Sequence, residues 1–265
     1  MKKHCKKIST DILVPLFALF IIATFILIVL FAKGGDSDIF VVKKAVSSEL
    51  PINPEHWIAE DESGEYLISM QGDTLDIVAP KGLTLWYDRC FTGEYKISYD
   101  ICMPMDGCGY DRLSDLNCFW AAKDPQHPDN ISARASERNG IFSKYNMLDL
   151  FYVGYGGNHN TTTRFRRYYG SMYGKSNDKV KPLIDEYTDS AYLLVPGKWY
   201  SIEIKVASDR TSFHVDGKKL FETAFDESPN APTSDKGDAA QVGDGYFALR
   251  LLQNHVRLTG LTVRQ

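Results

Sequence analysis

The string GGNHNTTTRFRRYYG, which begins at residue 156, threads three arginines between aromatic side chains directly after a glycine pair. Side chains on a β-strand point alternately to the two faces of a sheet. A strand here would place Arg164, Arg166 and Tyr168 on one face, with Phe165 and Tyr169 on the other. Because the aromatic pair suits a core, we predict that the two arginines and Tyr168 face an open groove.

Arginine, histidine and tyrosine are the residue types that β-elimination on a uronic acid requires. A cation or amide must neutralise the carboxylate, so that the proton on the adjacent carbon becomes acidic. A base then removes that proton, and an acid protonates the departing glycosidic oxygen. We predict four catalytic residues for this chemistry: His159, Tyr168, Arg164 and Tyr145.

Further polar and aromatic residues are predicted to contact the substrate. In the segment DRLSDLNCFWAAKDP, Asp115, Asn117 and Phe119 would share one face if the chain is extended, giving hydrogen-bonding groups beside an aromatic platform for a sugar ring. The full predicted set of substrate contacts is Arg166, Asn158, Asp115, Asn117, Phe119, Arg134, Arg138, Arg250 and His255. The structural alternative is that the arginines pair with acidic residues on neighbouring strands and that His255 is an ordinary structural histidine.

Other reaction classes find less support. A glycoside hydrolase needs two carboxylates about 5–10 Å apart, and the pattern E-x-D-x-x-E is absent, since EDESGE at residues 60–65 does not match it. The sequence has no G-x-S-x-G, no H-E-x-x-H and no phosphate-binding loop. We therefore expect no cofactor and no catalytic metal, and we leave a structural calcium ion open.

The elements that must position these residues are strands. Residues 84–103 and 245–265 alternate apolar with polar side chains, and residues 198–222 form a three-strand meander with a turn at Asp216 and Gly217. Residues 170–197 and 226–244 are rich in Gly, Pro, Asn, Asp and Ser and are predicted to be long loops. No sustained helical period follows residue 33, which predicts an all-β domain of two packed antiparallel sheets.

The N-terminus predicts export. Residues 12–32 are uncharged and long enough to cross a bilayer as a helix, and the basic start MKKHCKK places the N-terminus in the cytoplasm. We divide the chain into a signal anchor or signal peptide at 1–33, a linker at 34–54 and the β domain at 55–265. The domain is therefore expected in the periplasm or at the cell surface, held to the membrane if the segment is not cleaved.

Charge and cysteine content limit the partners. Five of the 30 basic residues and one of the 34 acidic residues lie in the first 33, so residues 34–265 carry a net charge of −8. Such a surface argues against nucleic acid as a partner. Cys90, Cys102, Cys108 and Cys118 would be exported, and their spacing leaves both disulfides and buried free thiols open.

The longer motifs resemble a known group of proteins. The strings SDLNCFWAAKDP, ARASERNGIFSKYNMLDLFYVGYGGNHNTTTRFRRY, LLVPGKWYSIEIKVASDRTSFHVDGKKLF and GYFALRLLQNHVRLTGLTV resemble an uncharacterised family of bacterial secreted domains. That family lies within the concanavalin A-like lectin/glucanase jelly rolls, together with 3-keto-glycoside hydrolase-like and alginate-lyase-like domains. The resemblance spans roughly residues 55–265 and implies a jelly roll that acts on carbohydrate.

By residue type, alginate-lyase-like enzymes use Arg, Gln or Asn, His and Tyr, for which Arg164, Asn158, His159 and Tyr168 would be the analogues here. The resulting hypothesis is a polysaccharide lyase that cleaves an acidic, uronate-containing glycan. The alternatives are a carbohydrate-binding domain without catalysis and a glycoside hydrolase.

Overall fold

The computed structural model describes residues 47–49, 52–229 and 242–265. The predicted membrane segment at 12–32 and most of the predicted linker lie outside these residues. In the part of the chain that is described, no helix combines the length and apolar character needed to cross a membrane.

Strands dominate the described residues, and the helices are short, with three to six residues each. The strands are β1 Ser47–Glu49, β2 Trp57–Asp61, β3 Leu67–Gln71, β4 Thr74–Phe91, β5 Tyr95–Cys102, β6 Leu116–Lys123, β7 Asp149–Gly156, β8 Thr162–Tyr168, β9 Leu183–Tyr187, β10 Trp199–Val206, β11 Arg210–Val215, β12 Lys218–Ala224 and β13 Gly245–Arg264. The α-helical turns are α1 Ala135–Arg138, α2 Gly157–Asn160 and α3 Asn177–Val180, and 3-10 turns span Pro54–His56, Ile131–Arg134, Phe142–Met147, Gly170–Met172 and Ser190–Tyr192.

Two long strands, β4 and β13, pair with each other and run through both layers of the fold. Their pairing shifts register between Leu252 and Asn254, opposite Pro80 and Lys81, and Gln253 there adopts a φ of 49°. A bulge of this kind bends a strand. One part of the pair belongs to a front sheet of order β2-β4-β13-β6-β7-β8-β9, and the other to a back sheet of order β3-β4-β13-β5-β10-β11-β12.

The main core fills the space between the two sheets, and Trp120 lies near its centre. The indole stacks on Phe151 and Phe165 of the front sheet at ring-centroid distances of 5.8 and 5.7 Å, and on Phe213 of the back sheet at 6.2 Å. Its Nε1 donates to Thr211 Oγ1 at 2.9 Å, so the one polar atom of the indole is satisfied. The predicted all-β sandwich of antiparallel sheets is confirmed.

A second, smaller cluster covers the outer face of the front sheet. Residues 125–148 cross this face in short helical turns, and Ile131, Tyr145 and Met147 pack against Trp86 and Phe119 of the sheet. The covering segment, residues 125–148, therefore buries one end of a face that we expected to be open.

The meander is confirmed, and its last turn has left-handed backbone at Asp216 and Gly217, with φ of 51° and 77°, as a two-residue hairpin requires. One expectation about loops is wrong, because β9 lies inside the segment 170–197 and pairs with β8. Of the second predicted loop, 226–244, residues 230–241 lie outside the described part. No disulfide joins the four described cysteines. Cys102 and Cys118 are buried, as the thiol alternative expects, whereas Cys90 is exposed and Cys108 is partly exposed.

Candidate functional site

A polar row crosses the outer face of the front sheet. Backbone register places one residue from each of seven strands side by side, in the order Glu60, Thr84, Arg250, Asn117, Gly154, Arg164 and Glu186. The adjacent row on the same face is mostly apolar and runs Ile58, Trp86, Ala248, Phe119, Tyr152, Arg166 and Leu183. The covering segment lies over the apolar row, so the face stays open at the β7–β9 end.

A pocket of about 280 Å³ opens at that end. Its walls come from β7, β8, the turn between them, the covering segment and the chain before β9. The lining residues are Asp115, Phe142, Tyr152, Gly154, Gly157, Asn158, Thr162, Arg164, Arg166, Tyr168, Asn177 and Lys181. The predicted alternation of β8 is confirmed, because Arg164, Arg166 and Tyr168 line the pocket while Phe165 is buried in the main core.

The charge of the pocket is positive although the chain is acidic. Asp115 accepts a hydrogen bond from Arg112 at 2.6 Å, and Arg164 is paired with Glu186. Arg166 and Lys181 form no ion pair with any described carboxylate, and Arg166 Nη1 instead donates to the backbone oxygen of Lys181 at 2.8 Å. Burial and the nearby Arg166 lower the pKa of Lys181. Two cations that pair with no described carboxylate therefore face the pocket.

Two tyrosine hydroxyls complete the polar lining, those of Tyr152 and Tyr168. Both side chains are buried, and their ring centroids lie 5.8 Å apart. Burial raises the pKa of both phenols, and the positive charges of Arg166 and Arg250 offset this only in part. Both groups are therefore protonated donors at neutral pH.

Hydrogen bonds to both its backbone and its side chain hold Asp115 in place. Its backbone has a φ of 64°, its N–H donates to Gly156 O at 3.1 Å, and Asn254 Nδ2 donates to its carbonyl oxygen at 3.2 Å. Oδ2 accepts from Arg112 and from Ser114 Oγ. No described residue hydrogen-bonds to Oδ1, so this oxygen remains for a ligand.

The turn between β7 and β8 has an unusual backbone. Gly156, Asn158, His159 and Asn160 all have φ between 52° and 64°, the left-handed region that favours Gly and Asn. Asn160 exchanges two hydrogen bonds with the backbone of Leu194, which anchors the turn. Asn158 thereby reaches the pocket rim, whereas His159 points to solvent and does not line the pocket.

Two residues predicted for the site, Tyr145 and Arg138, contact the buried carboxylate of Glu60 and do not line the pocket. The carboxylate of Glu60 is buried and accepts from the Tyr145 hydroxyl at 2.7 Å, from Trp86 Nε1 at 2.9 Å and from Arg138 Nη2 at 2.5 Å. This network fastens the covering segment to β2 and β4. Both side chains are fully buried. Their hydrogen bonds offset the free-energy cost of burying the Glu60 carboxylate.

Five further predicted contacts also lie outside the pocket. Phe119 is fully buried under the covering segment, and Arg134 is bound by Asp124 through Nε at 2.6 Å and Nη2 at 2.5 Å. His255 lies on β13 in the back sheet, between Asp76 and Asp111. Asn117 and Arg250 are buried beside Gly154 in the polar row, where Arg250 packs over the rings of Phe142 and Tyr145.

Sequence reasoning missed several residues of the pocket, notably Tyr152, Phe142 and Lys181. Tyr152 had a usable signal, because FYVGYG precedes the left-handed turn and a strand there would put Tyr152 and Gly154 on one face. Phe142 and Lys181 come from irregular segments on either side of the sheet, and no periodicity predicts where such segments lie.

The lining has what is needed to bind a hydroxyl-rich anion. Arg166 and Lys181 can pair with a carboxylate, the tyrosines and Asn158 can donate to hydroxyl oxygens, and Asp115 Oδ1 can accept from a hydroxyl. Asp115 is the one carboxylate among the described lining residues, which does not meet the two-carboxylate requirement of glycoside hydrolysis.

The fold has solved relatives. A Bacillus subtilis protein of unknown function with a galectin-like fold superposes with a TM-score of 0.61 at 14% identity, covering 83% of this chain and 94% of that one. An endo-β-1,3-glucanase from Pyrococcus furiosus gives 0.49 at 14% identity, with 83% and 90% covered, and the carbohydrate-binding module CBM66 from Bacillus subtilis gives 0.48 at 11%, with 79% and 96% covered. The first of these confirms the jelly-roll type of fold.

No curated protein matches the sequence. One family does match, over residues 77–261, which include β5 to β12, most of β4 and β13, the covering segment and every residue lining the pocket. The chain therefore belongs to the family described as a domain of unknown function, DUF6250.

Proposed function

We propose that the protein binds an acidic, uronate-containing glycan in this pocket and cleaves it by β-elimination. The observation that carries the proposal is a pocket lined by two cations that pair with no described carboxylate, Arg166 and Lys181. The same pocket contains two tyrosine hydroxyls and Asp115 Oδ1, which accepts no hydrogen bond from a described residue. The resemblance of the sequence to jelly rolls that act on carbohydrate supports the choice of a sugar.

The mixed lining favours a sugar acid over a phosphate or sulfate. A bare oxyanion offers acceptors alone and would be repelled by Asp115. A uronate carries both one carboxylate and several hydroxyls, so it can accept from Arg166 and Lys181 and donate to Asp115. Phe142 at the rim adds an apolar surface for the ring.

The lining can divide the reaction between its members. Arg166 and Lys181 neutralise the substrate carboxylate and thereby acidify the proton on the carbon beside it. Asp115 Oδ1 accepts that proton, the electron pair forms the carbon–carbon double bond, and the bond to the glycosidic oxygen breaks. Tyr152 or Tyr168, which are protonated at neutral pH, gives its proton to the departing oxygen.

Binding without cleavage is the second candidate, and two observations favour it. Arg164 is already paired with Glu186, and the raised pKa of both tyrosines makes them unsuited to act as bases. If Asp115 only accepts a hydrogen bond from a sugar hydroxyl, the pocket binds the glycan without cleaving it.

One assay separates these functions. The full chain is incubated with a set of acidic and neutral polysaccharides, and unsaturated uronate is followed by its ultraviolet absorbance while binding is measured by calorimetry. Absorbing product that is lost in Asp115→Asn and in Tyr152→Phe supports the lyase. Binding of an acidic glycan without product, weakened in Arg166→Ala but unchanged in the exposed control Arg210→Ala, identifies a binding domain. New reducing ends without the chromophore would contradict the lyase and indicate hydrolysis.

The location of the protein in the cell is a proposal that rests on the N-terminal sequence. We propose that the apolar segment at residues 12–32 exports the domain to the periplasm or cell surface, where polysaccharide is met. Cell fractionation with protease protection tests this, and a protein found only in the cytosolic fraction would contradict it.

A further inference from the structure

A second cluster of reactive side chains lies away from the pocket, on the loop between β5 and β6. Cys108 Sγ, Asp111 Oδ1 and one ring nitrogen of His255 all lie within 4.8 Å of one another. His255 comes from β13 and is buried, whereas Cys108 and Asp111 belong to one tight turn in which the Asp111 N–H donates to Cys108 O at 3.0 Å. Thiolate, imidazole and carboxylate are the ligand types of zinc.

The geometry suits one tetrahedral ion. Ligand atoms on a single zinc stand roughly 3.3–3.8 Å apart, given bonds of about 2.0–2.3 Å. His255 Nδ1 and Asp111 Oδ1 are 3.1 Å apart, so these two atoms need to move only slightly further apart to coordinate the same ion. Asp111 Oδ2 is already occupied by the backbone N–H groups of Gly107 and Cys108, which turns Oδ1 toward His255.

The surroundings of His255 match those of a metal-bound histidine. Histidine ligands usually donate their second ring N–H to a carboxylate, which fixes the ring and its tautomer. Here His255 Nε2 lies 2.9 Å from Asp76 Oδ1, and Asp76 Oδ2 in turn accepts from Arg257 Nε at 2.9 Å. Nδ1 is thereby left on the side of Cys108 and Asp111.

The local charge also calls for a cation. Asp76, Asp106 and Asp111 surround His255 and a single arginine, Arg257, which pairs with both Asp76 and Asp106. With a neutral imidazole the cluster carries an excess of two negative charges. A proton on His255 would offset one of these two charges, whereas a bound divalent cation offsets both.

We propose that Cys108, Asp111 and His255 bind one zinc ion, with Asp76 and Arg257 orienting the histidine. Three protein ligands leave the fourth position to water, and the ion closes the 103–115 loop onto β13. The loop leads directly to Asp115, whose partner Arg112 also donates to the backbone oxygens of Leu252 and Gln253. The metal therefore stabilises the chain segment that brings Asp115 to the pocket.

The test uses the full chain with its thiols reduced, titrated with Zn²⁺ against a chromophoric chelator and with Co²⁺ as a spectroscopic probe. All proteins carry Cys5→Ser, so that the N-terminal His4 and Cys5 contribute no thiolate site. We expect one Zn²⁺ per chain at micromolar or lower Kd, a sulfur-to-cobalt absorption band, and a rise in Tm when zinc is added.

Cys108→Ser should weaken zinc binding at least tenfold and remove the cobalt band, because the serine hydroxyl does not replace a thiolate. The exposed thiol variant Cys90→Ser is the matched control and should bind as the parent does. Zinc binding that is equal in Cys108→Ser and the parent, or no stoichiometric binding by the parent, would overturn the proposal. His255→Gln adds a check on the second ligand, with circular dichroism to establish that the variant is folded.

Discussion

The side chain of Tyr152 lies across the backbone of Gly154, two residues further along β7, so that a Cβ on residue 154 would stand 2.4 Å from the tyrosine hydroxyl oxygen. The hydroxyl therefore reaches the pocket only because residue 154 has no side chain. Both residues line the pocket, with Arg166 beside Tyr152 and Arg164 beside Gly154 in the sheet register. This close approach makes the pocket sensitive to a single methyl group.

We expect Gly154→Ala to displace the Tyr152 hydroxyl and to reduce binding of the acidic glycan, and any cleavage of it, at least tenfold. The backbone at residue 154 is ordinary extended strand, so the substitution should leave the fold intact. Ser201→Ala, at an exposed position of β10 in the back sheet, is the control. Calorimetric titration and circular dichroism measure the two effects separately, and unchanged ligand binding in Gly154→Ala would contradict a role for the Tyr152 hydroxyl.

The structure reverses what the sequence predicts for two tyrosines, because Tyr145, predicted to be catalytic, lies outside the pocket, whereas Tyr152, which was not predicted, lines it. Tyr145→Phe removes a hydrogen bond to the buried Glu60 carboxylate and should lower the free energy of unfolding by about 1.5–3 kcal/mol. Its ligand binding and turnover should stay within twofold of the parent. Denaturant unfolding and the glycan assay test this. A large loss of turnover without a loss of stability would indicate that Tyr145 acts in the active site.

Strands β6 and β8 show how much of the fold can be predicted from the sequence. The face alternation of β8 followed from the pattern of arginine and aromatic residues, and the meander followed from its turn at Asp216 and Gly217. Asn117 and Phe119 were also placed correctly on one face of β6, yet both are buried. The reason is the covering segment, whose position depends on contacts with residues distant in sequence, above all Glu60.

The candidate site was only partly predictable for a related reason. Arg164, Arg166, Tyr168, Asn158 and Asp115 do meet in the pocket, although their roles remain predictions. Short-range patterns predict which side chains share a strand face, but not which distant loop closes over that face. β9 was missed because a short edge strand with two adjacent acidic residues in LIDEY has a weak apolar pattern.

The ion pair between Arg164 and Glu186 predicts a gain of affinity. Both side chains are partly exposed, so breaking the pair should cost little stability. Glu186→Gln removes the charge that competes with an acidic ligand for Arg164, and we expect several-fold tighter binding with a steeper dependence on salt. Glu222→Gln, which alters an ion pair on the distant β12, should bind as the parent does. Equal or weaker binding in Glu186→Gln would show that Arg164 does not contact the ligand.

The covering segment should loosen at acid pH because Asp124 binds Arg134 in the first helical turn of this segment. Burial alone would raise the pKa of Asp124, but hydrogen bonds from Arg134 and the Gln126 N–H outweigh it, so the pKa is lowered. A lowered pKa in the folded state means that the contribution of Asp124 is complete above about pH 4 and disappears as the pH falls through the folded-state pKa.

Asp124→Asn should therefore lower the free energy of unfolding at pH 7 by about 3 kcal/mol, since it leaves Arg134 without its buried partner. The difference from the parent should shrink below pH 4, and limited proteolysis of the variant at neutral pH should cut within residues 125–148. Asp209→Asn, which alters a fully exposed pair with Arg210, should leave both measurements unchanged. A stability difference that is independent of pH would contradict the assignment of the effect to the Asp124 charge.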